Sequence, residues 1–432
     1  MSIRWGSRAV ALAAFLAVPT AAFGADPQPY DKTIKVNVDE DEKPLPVRDV
    51  DIQLGGFVKL DALFSVYSDG DVATPGGIRD FYAPSSIPVA GSSAAENSTS
   101  MFDMHAKETR VFFKIDGHVT DTKLGAYLEM DFISNPGAGT EVTTNAYNPA
   151  LRRAYVTYNR WLLGQDWTLF QSMASLPDSV DFVRWPTDGT VFVRQPQARH
   201  TWTGLLGGDV AVSLENSETL IKPRTGTVSG ATPVTANFVT GDANLPDLVL
   251  RYNWKPSFGE FNVSLLAREL RADFAATGGD APNNAASGKE IGSGVSIGGK
   301  IASIGQDDVR FQVTGGEGIG RYVALGAAAD AVVDTDGGLE PIAVVAGLVA
   351  YRRVWNERWR SNLMVATFQA DNDTSLTGAG VTSALSSARV NLMYAPVDKL
   401  TFGLEFTHGI RELENGEDGT LDRLQFTTMY AY

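Results

Sequence analysis

Asp51–Gly70 reads DIQLGGFVKLDALFSVYSDG, and its alternation decides the fold. One set of positions holds Ile52, Leu54, Gly56, Val58, Leu60, Ala62, Phe64 and Val66; the interleaved set holds Gln53, Gly55, Phe57, Lys59, Asp61, Leu63, Ser65 and Tyr67. The first face is almost wholly apolar, and the second mixes charge, polar groups and glycine. A period of two makes this a strand with unlike faces. A run of roughly fifteen such residues is long for a soluble sandwich and fits a tilted strand that crosses a bilayer.

The same pattern returns along the chain. Leu124, Ala126, Leu128, Met130 and Phe132 oppose Tyr127, Glu129 and Asp131; Val210, Val212 and Leu214 oppose Ala211, Ser213 and Glu215. Val309, Phe311 and Val313 oppose Arg310, Gln312 and Thr314; Val390, Leu392 and Tyr394 oppose Arg389, Asn391 and Met393. Leu400, Phe402, Leu404 and Phe406 oppose Thr401, Gly403, Glu405 and Thr407. The connections alternate as well. Tight ones read DGHVTDT, NR, GLLGGD, KPSFGE, GQDD, NER and APVDK. Long ones run over 69–99, 135–149, 216–245, 273–289, 317–339, 371–386 and 412–420. Long loops on one rim and tight turns on the other mark an outer-membrane barrel, and the spacing predicts about 16 antiparallel strands, an even number. A soluble all-β protein would also alternate, but it would need a second apolar layer opposite so many charged faces. The fold class is therefore all-β: a transmembrane antiparallel β-barrel with an infolded constriction loop.

The chain ends in LQFTTMYAY, with Leu424, Phe426, Thr428, Tyr430 and Tyr432 on one face. A last strand of this kind closes the barrel against the first and leaves no edge. Its alternating apolar end, with Phe426, Tyr430 and the terminal Tyr432, is similar to the signal read by the bacterial barrel-assembly machinery. At the other end, Met1–Gly24 combines Arg4 and Arg8, an apolar stretch from Ala9 to Val18, and Ala22-Phe23-Gly24. This reads as a secretory signal peptide cleaved after Gly24, since the apolar stretch is shorter than the roughly 20 residues of a spanning helix. Removing it takes the formal net charge from -15 to -17. Residues 25–50, with prolines and the run Asp39-Glu40-Asp41-Glu42, are expected to form a flexible periplasmic leader, and residues 51–432 the barrel. Too short for the plug of a gated, energy-dependent transporter, the leader argues against that class. No cysteine is present, so disulfides are excluded as a stabiliser. The acidic balance argues against nucleic acid as a partner. Outer-membrane lipid and lipopolysaccharide are the expected surroundings.

The least periodic part is Trp161–Trp202, WLLGQDWTLFQSMASLPDSVDFVRWPTDGTVFVRQPQARHTW. Irregular backbone at membrane depth is tolerated where it lines a water-filled cavity. The 167–199 segment is expected to fold into the lumen. Phe170, Met173, Leu176, Phe182 and Trp185 would pack on the wall, while Asp178 and Asp181 meet Arg184, Arg194 and Arg199 at a narrow point. Opposed charges across a constriction select polar solutes by sign and orientation.

The stretches GGFVKLDALF, FDMHAKETRVFF, LRRAYVTY, WLLGQDWTLFQS, RQPQARHTW and GEGIGRYV together resemble the DcaP-like outer-membrane porins of Gram-negative bacteria. The resemblance runs from Gly55 to the end and is most specific over Gly164–Thr168 and Arg194–Arg199. It implies a homotrimeric diffusion channel with an arginine-rich constriction that favours small anionic or polar solutes, dicarboxylate-like compounds among them. By position, it places Arg153, Arg194 and Arg199 at the pore, with Asp178 and Asp181 on the infolded loop. Some members carry a coiled-coil-like N-terminal extension, and the leader lacks its heptads.

Read residue by residue, the lumen phase carries Lys59, Arg153, Arg251, Lys300, Arg310 and Arg389, but also Asp61, Glu129, Asp131, Glu215 and Glu405. The local sign at the constriction decides selectivity, and the expectation is an anion preference. An outer-membrane barrel enzyme of lipase or protease type is the alternative, with Glu129 and Asp131 as an acid/base pair. His105, His118, His200 and His408 are scattered and show no His-x-x-x-His or Gly-x-Ser-x-Gly context, so no enzyme is expected. No metal or cofactor is expected either; Asp371-Asn372-Asp373 and Asp334-Thr335-Asp336-Gly337 lack EF-hand spacing. One stretch resists the pattern. In FDMHAKETRVFF, Glu108, Arg110 and Lys114 share parity with Phe102, Met104 and Phe112. A charge at the lipid midplane costs roughly 2–4 kcal/mol. Either a bulge switches the phase or a neighbouring subunit covers the strand.

Overall fold

The computed structural model describes residues 34–35, 47–70, 78–89, 98–134, 143–224, 239–274 and 286–432. The expected signal peptide, residues 1–24, and most of the expected leader lie outside them. Sixteen antiparallel strands form the barrel. They are β1 (Val47–Tyr67), β2 (Thr99–His105 continued by Arg110–Val119), β3 (Thr122–Asp131) and β4 (Ala150–Tyr158). Next come β5 (Trp161–Trp167), β6 (Arg194–Leu205), β7 (Gly208–Glu215) and β8 (Asp247–Trp254). The third quarter is β9 (Gly259–Phe274), β10 (Ala286–Ala302), β11 (Asp308–Glu317) and β12 (Ala343–Val354). The last is β13 (Trp359–Asp371), β14 (Thr382–Val397), β15 (Leu400–Leu413) and β16 (Asp418–Ala431). Each strand pairs with the next, and β16 returns to β1 with Phe57 opposite Ala431 and Tyr67 opposite Leu421. Tyr432 N donates to the Gly56 carbonyl at 3.1 Å, so the final residue is part of the seam.

The two faces separate as the alternation requires. On β1, Val58, Leu60 and Phe64 point outward and are exposed, while Lys59, Asp61, Leu63, Ser65 and Tyr67 are buried inside. Outward Val345, Val349, Leu363, Val365, Val390, Leu404 and Phe426 continue the apolar belt. Near the tight-turn rim, aromatic side chains gather: Trp359 stacks on Tyr394 with ring centroids 4.4 Å apart, and Trp254 meets Phe258 at 5.8 Å. Such girdles sit where a barrel meets the lipid headgroups. Turns on this rim use left-handed residues; between β6 and β7, Leu206 and Gly207 have φ of 55° and 78°.

Irregularities in β2 and β4 put charge inside. Thr109 N donates to the Ala106 carbonyl, a turn that interrupts β2 between its two segments. Before the break Phe102 and Met104 face outward; after it Ile115 does, so the parity is reversed. Lys107 and Glu108 both turn inward and are buried. The phase conflict in FDMHAKETRVFF is thus resolved by a break within the strand. In β4 the register jumps from Glu129–Arg153 to Met130–Leu151, which leaves Arg152 as the extra residue of a bulge.

The lumen is not an open cylinder. Residues 168–193 fold inside, and residues 318–342 follow them. Leu169, Phe170, Val191 and Val193 pack with Ile319, Tyr322, Val323, Ala324 and Val332 against the inner faces of Val249, Leu266, Val344, Ala346, Phe368 and Leu385. This explains why the inner phase of β12 is apolar at Val344, Ala346 and Leu348. The loop backbone comes so close that a Cβ on Gly189 would lie 2.3 Å from the Gly347 carbonyl oxygen. A small four-stranded sheet (Glu218–Lys222, Val239–Asp242, Ala331–Val333 and Leu339–Pro341) lies on the inner face of β9, burying Ile221, Leu270 and Val333. Arg268 crosses that contact, 3.4 Å from Asp247 and 3.1 Å from Asp330, with all three side chains fully buried. Loop packing therefore fills the β7–β14 side of the lumen.

Candidate constriction

The 168–193 loop is held to the wall mainly through its own carbonyl groups. Arg251 donates to Gln171 O at 2.6 Å, Asn391 and Asn362 to Asp178 O at 2.8 and 2.9 Å, Lys59 to Val180 O at 2.7 Å, and Arg310 to Leu176 O. The donors come from β8, β11, β13, β14 and β1, so the loop is laid around the inside of the barrel. Its acids point to the same wall. Asp178 meets Arg360 at 2.7 Å, and Asp181 lies 3.4 Å from Arg389 and accepts from Tyr82 N. Glu405 accepts from Ser179 Oγ at 2.6 Å. Arg389 is 1% exposed. Phe170, Leu176, Phe182 and Trp185 are buried as the sequence predicts, but Met173 is exposed.

The opposite wall carries a second set of guanidiniums. Arg152, freed by its bulge, donates from Nε to Glu129 at 2.8 Å and from Nη1 to Asp131. Arg110 stands 3.8 Å from each of these carboxylates. Arg153 binds Asp166 at 2.6 Å, and Arg199 reaches the other oxygen of Asp166 at 3.0 Å. Arg153 also covers the Tyr127 ring at 4.7 Å, and Arg194 lies over Trp167 at 5.2 Å. From the loop, Arg184 comes over the ring of Phe57. Six guanidiniums thus face three carboxylates, and Arg110 Nε and Arg194 Nη1, like Arg389 Nε and Nη2 on the other wall, are buried without a hydrogen-bond partner among the described residues. An excess of fixed cation donors in a low-dielectric passage attracts anions and repels cations.

The ten residues selected from sequence fall into two groups. Arg153, Arg184, Arg194, Arg199, Glu129 and Asp131 come together on the β2–β6 side. Asp178, Asp181, Arg310 and Arg389 lie where the loop meets the other wall. Arg110, Arg152 and Asp166 join the first group without having been selected. The signal for Arg152 was present: an alternating strand can turn only one residue of Arg152-Arg153 inward, so a bulge was required. Glu129 and Asp131 are both occupied by guanidiniums, which leaves neither as a free acid/base group.

Residues 32–432 match the DcaP outer membrane protein family. The chain belongs to that family. Among solved structures it is similar to the outer membrane channel DcaP of Acinetobacter baumannii, at 22% identity and a TM-score of 0.69, covering 89% of this chain and 97% of that one. It is also similar to an anion-selective porin from Comamonas acidovorans (10% identity, TM-score 0.51, covering 89% and 100%) and to an outer membrane protein of Vibrio cholerae (9%, 0.51, 91% and 100%). At such identities the likeness is one of fold. No curated protein matches the sequence. Family and closed barrel together make this DcaP-family chain a porin channel of the Gram-negative outer membrane.

Proposed function

We propose that the channel admits small hydrophilic solutes with a preference for anions, and that the β2–β6 arginine wall with Arg184 forms its constriction. The supporting observation is the pairing pattern. The loop acids Asp178 and Asp181 are bound to Arg360 and Arg389, whereas on the β2–β6 side six guanidiniums, Arg184 included, share only Glu129, Asp131 and Asp166. The excess of positive charge on that wall would draw a passing carboxylate, and doubly charged solutes of dicarboxylate type could engage two guanidiniums at once. The same reading makes the working unit a homotrimer in lipid and lipopolysaccharide, exported by the 1–24 signal and inserted through the Phe426, Tyr430 and Tyr432 end.

Reversal potential in a salt gradient tests the preference. Planar bilayers should show stepwise conductance with anions more permeant than cations, and the Arg194→Ala/Arg199→Ala double variant should lower that ratio. A cation-preferring wild type, or a ratio unmoved by the double variant, would overturn the assignment.

A further inference from the structure

Asp61 on β1 and His105 and Glu108 at the break in β2 are 0%, 7% and 2% exposed. One ligand atom from each lies within 4.8 Å of those from the other two. Each side chain is held by a partner at one atom. Asp61 Oδ1 accepts from Gln425 Nε2 at 2.9 Å and lies 3.0 Å from Lys59 Nζ; Glu108 Oε2 accepts from Lys59; His105 Nε2 lies 3.1 Å from the Asp80 carbonyl oxygen. A carbonyl only accepts, so Nε2 carries the hydrogen and Nδ1 presents a lone pair. The remaining atoms, Asp61 Oδ2, Glu108 Oε1 and His105 Nδ1, are buried with no hydrogen-bond partner among the described residues.

Three side chains whose ligating atoms gather within 4.8 Å, each with one buried lone-pair atom lacking a donor among the described residues, are costly in a buried site. One water can donate to only two of them, whereas a cation satisfies all three. We propose that Asp61, His105 and Glu108 bind one divalent transition-metal ion, of the Zn²⁺ class, that ties β1 to the break in β2. One imidazole and two carboxylates suit such an ion better than Ca²⁺ or Mg²⁺, which prefer oxygen throughout. The outer partners are in place: Asp80 O orients the imidazole, and Lys59 and Gln425 orient the carboxylates. Lys107 is neutralised by Asp80 at 2.6 Å, so the two carboxylates and Lys59 leave one negative charge to favour a cation. Lys59 also donates to Val180 O, which places the ion directly behind the anchor of the infolded loop. The ligands stand at positions 61, 105 and 108, a spacing with no metal-motif signature, and only the break in β2 unites them.

The test uses the full-length protein in detergent, stripped with chelator, loaded with Zn²⁺ and desalted. Elemental analysis should find one zinc per chain, and His105→Ala and Glu108→Gln should each weaken retention about tenfold or more. The X-ray absorption spectrum of zinc-loaded wild type should show one imidazole among oxygen ligands, a readout that does not depend on the variants folding. No retained zinc, retention unchanged in both folded variants, or a first shell with no imidazole or with more than one would overturn the proposal.

Discussion

Arg184 and Arg110 share the ring of Phe57, their guanidinium carbons lying 4.7 and 5.2 Å from its centroid. One guanidinium belongs to the infolded loop and the other to the barrel wall, so the ring sets how far apart two like charges stand. Each such contact is worth about 0.5–2 kcal/mol. Phe57→Leu keeps apolar volume and removes the π face. The variant should fold, show greater open-channel current noise, and have a lower anion-to-cation permeability ratio than wild type. Unchanged noise and ratio would mean that the two arginines are placed by other contacts.

Much of this was legible in the sequence. Alternation in DIQLGGFVKLDALFSVYSDG and the loop-turn asymmetry led directly to the sixteen strands and to an infolded segment after Trp167, because lipid outside and water inside impose a period of two on every strand. Within the 167–199 segment the infolded part is 168–193, and Trp167 and Arg194–Arg199 belong to the flanking strands. The inward fold of residues 318–342 was not foreseen. Its apolar run Val323–Val333 carries no period that separates a surface loop from a buried one, and only the matching apolar inner face of β12 hinted at a cover. Charge pairing was the least legible. Asp181 and Arg389 are 208 residues apart in sequence, and nothing local says that they meet.

The bulge at Arg152 places a cation against Glu129 and Asp131 that a regular β4 would have turned toward lipid. Arg152→Ala leaves Arg110, at 3.8 Å from each acid, as their nearest guanidinium among the described residues. The reversal potential should move toward cation preference, and by more than for Arg310→Ala. Arg310 is bound to Asp308 and to the Leu176 carbonyl at the loop contact. Equal shifts for the two variants would count against the β2–β6 wall as the selective surface.

Lys59 bridges Asp61, Glu108 and the Val180 carbonyl while only 3% exposed. In the metal-stripped protein, Lys59→Met removes the ammonium that pairs with two buried carboxylates. Breaking a buried pair in this way costs about 3–5 kcal/mol. The unfolding transition in detergent should fall accordingly, and adding Glu108→Gln should recover part of the loss by removing the stranded charge. A single variant as stable as wild type would show that the cluster is neutralised without Lys59.

Asp307, in the turn before β11, accepts from the Tyr351 hydroxyl at 2.6 Å and the Val354 amide at 2.8 Å, with Arg353 at 2.7 Å. These hydrogen bonds favour the ionised form and pull its carboxyl down to about 2. In the unfolded chain an aspartate titrates near 4. Because the folded value is the lower one, the stabilisation is present in full above about 4 and is lost as pH falls toward about 2. Asp307→Asn should therefore unfold at a lower temperature than wild type at neutral pH. The gap should close between about 4 and about 2, where the wild-type carboxylate takes up its proton. Thermal unfolding of both proteins across that range measures it, and a gap that stays constant down to the acid limit would show that the turn is held by its backbone alone.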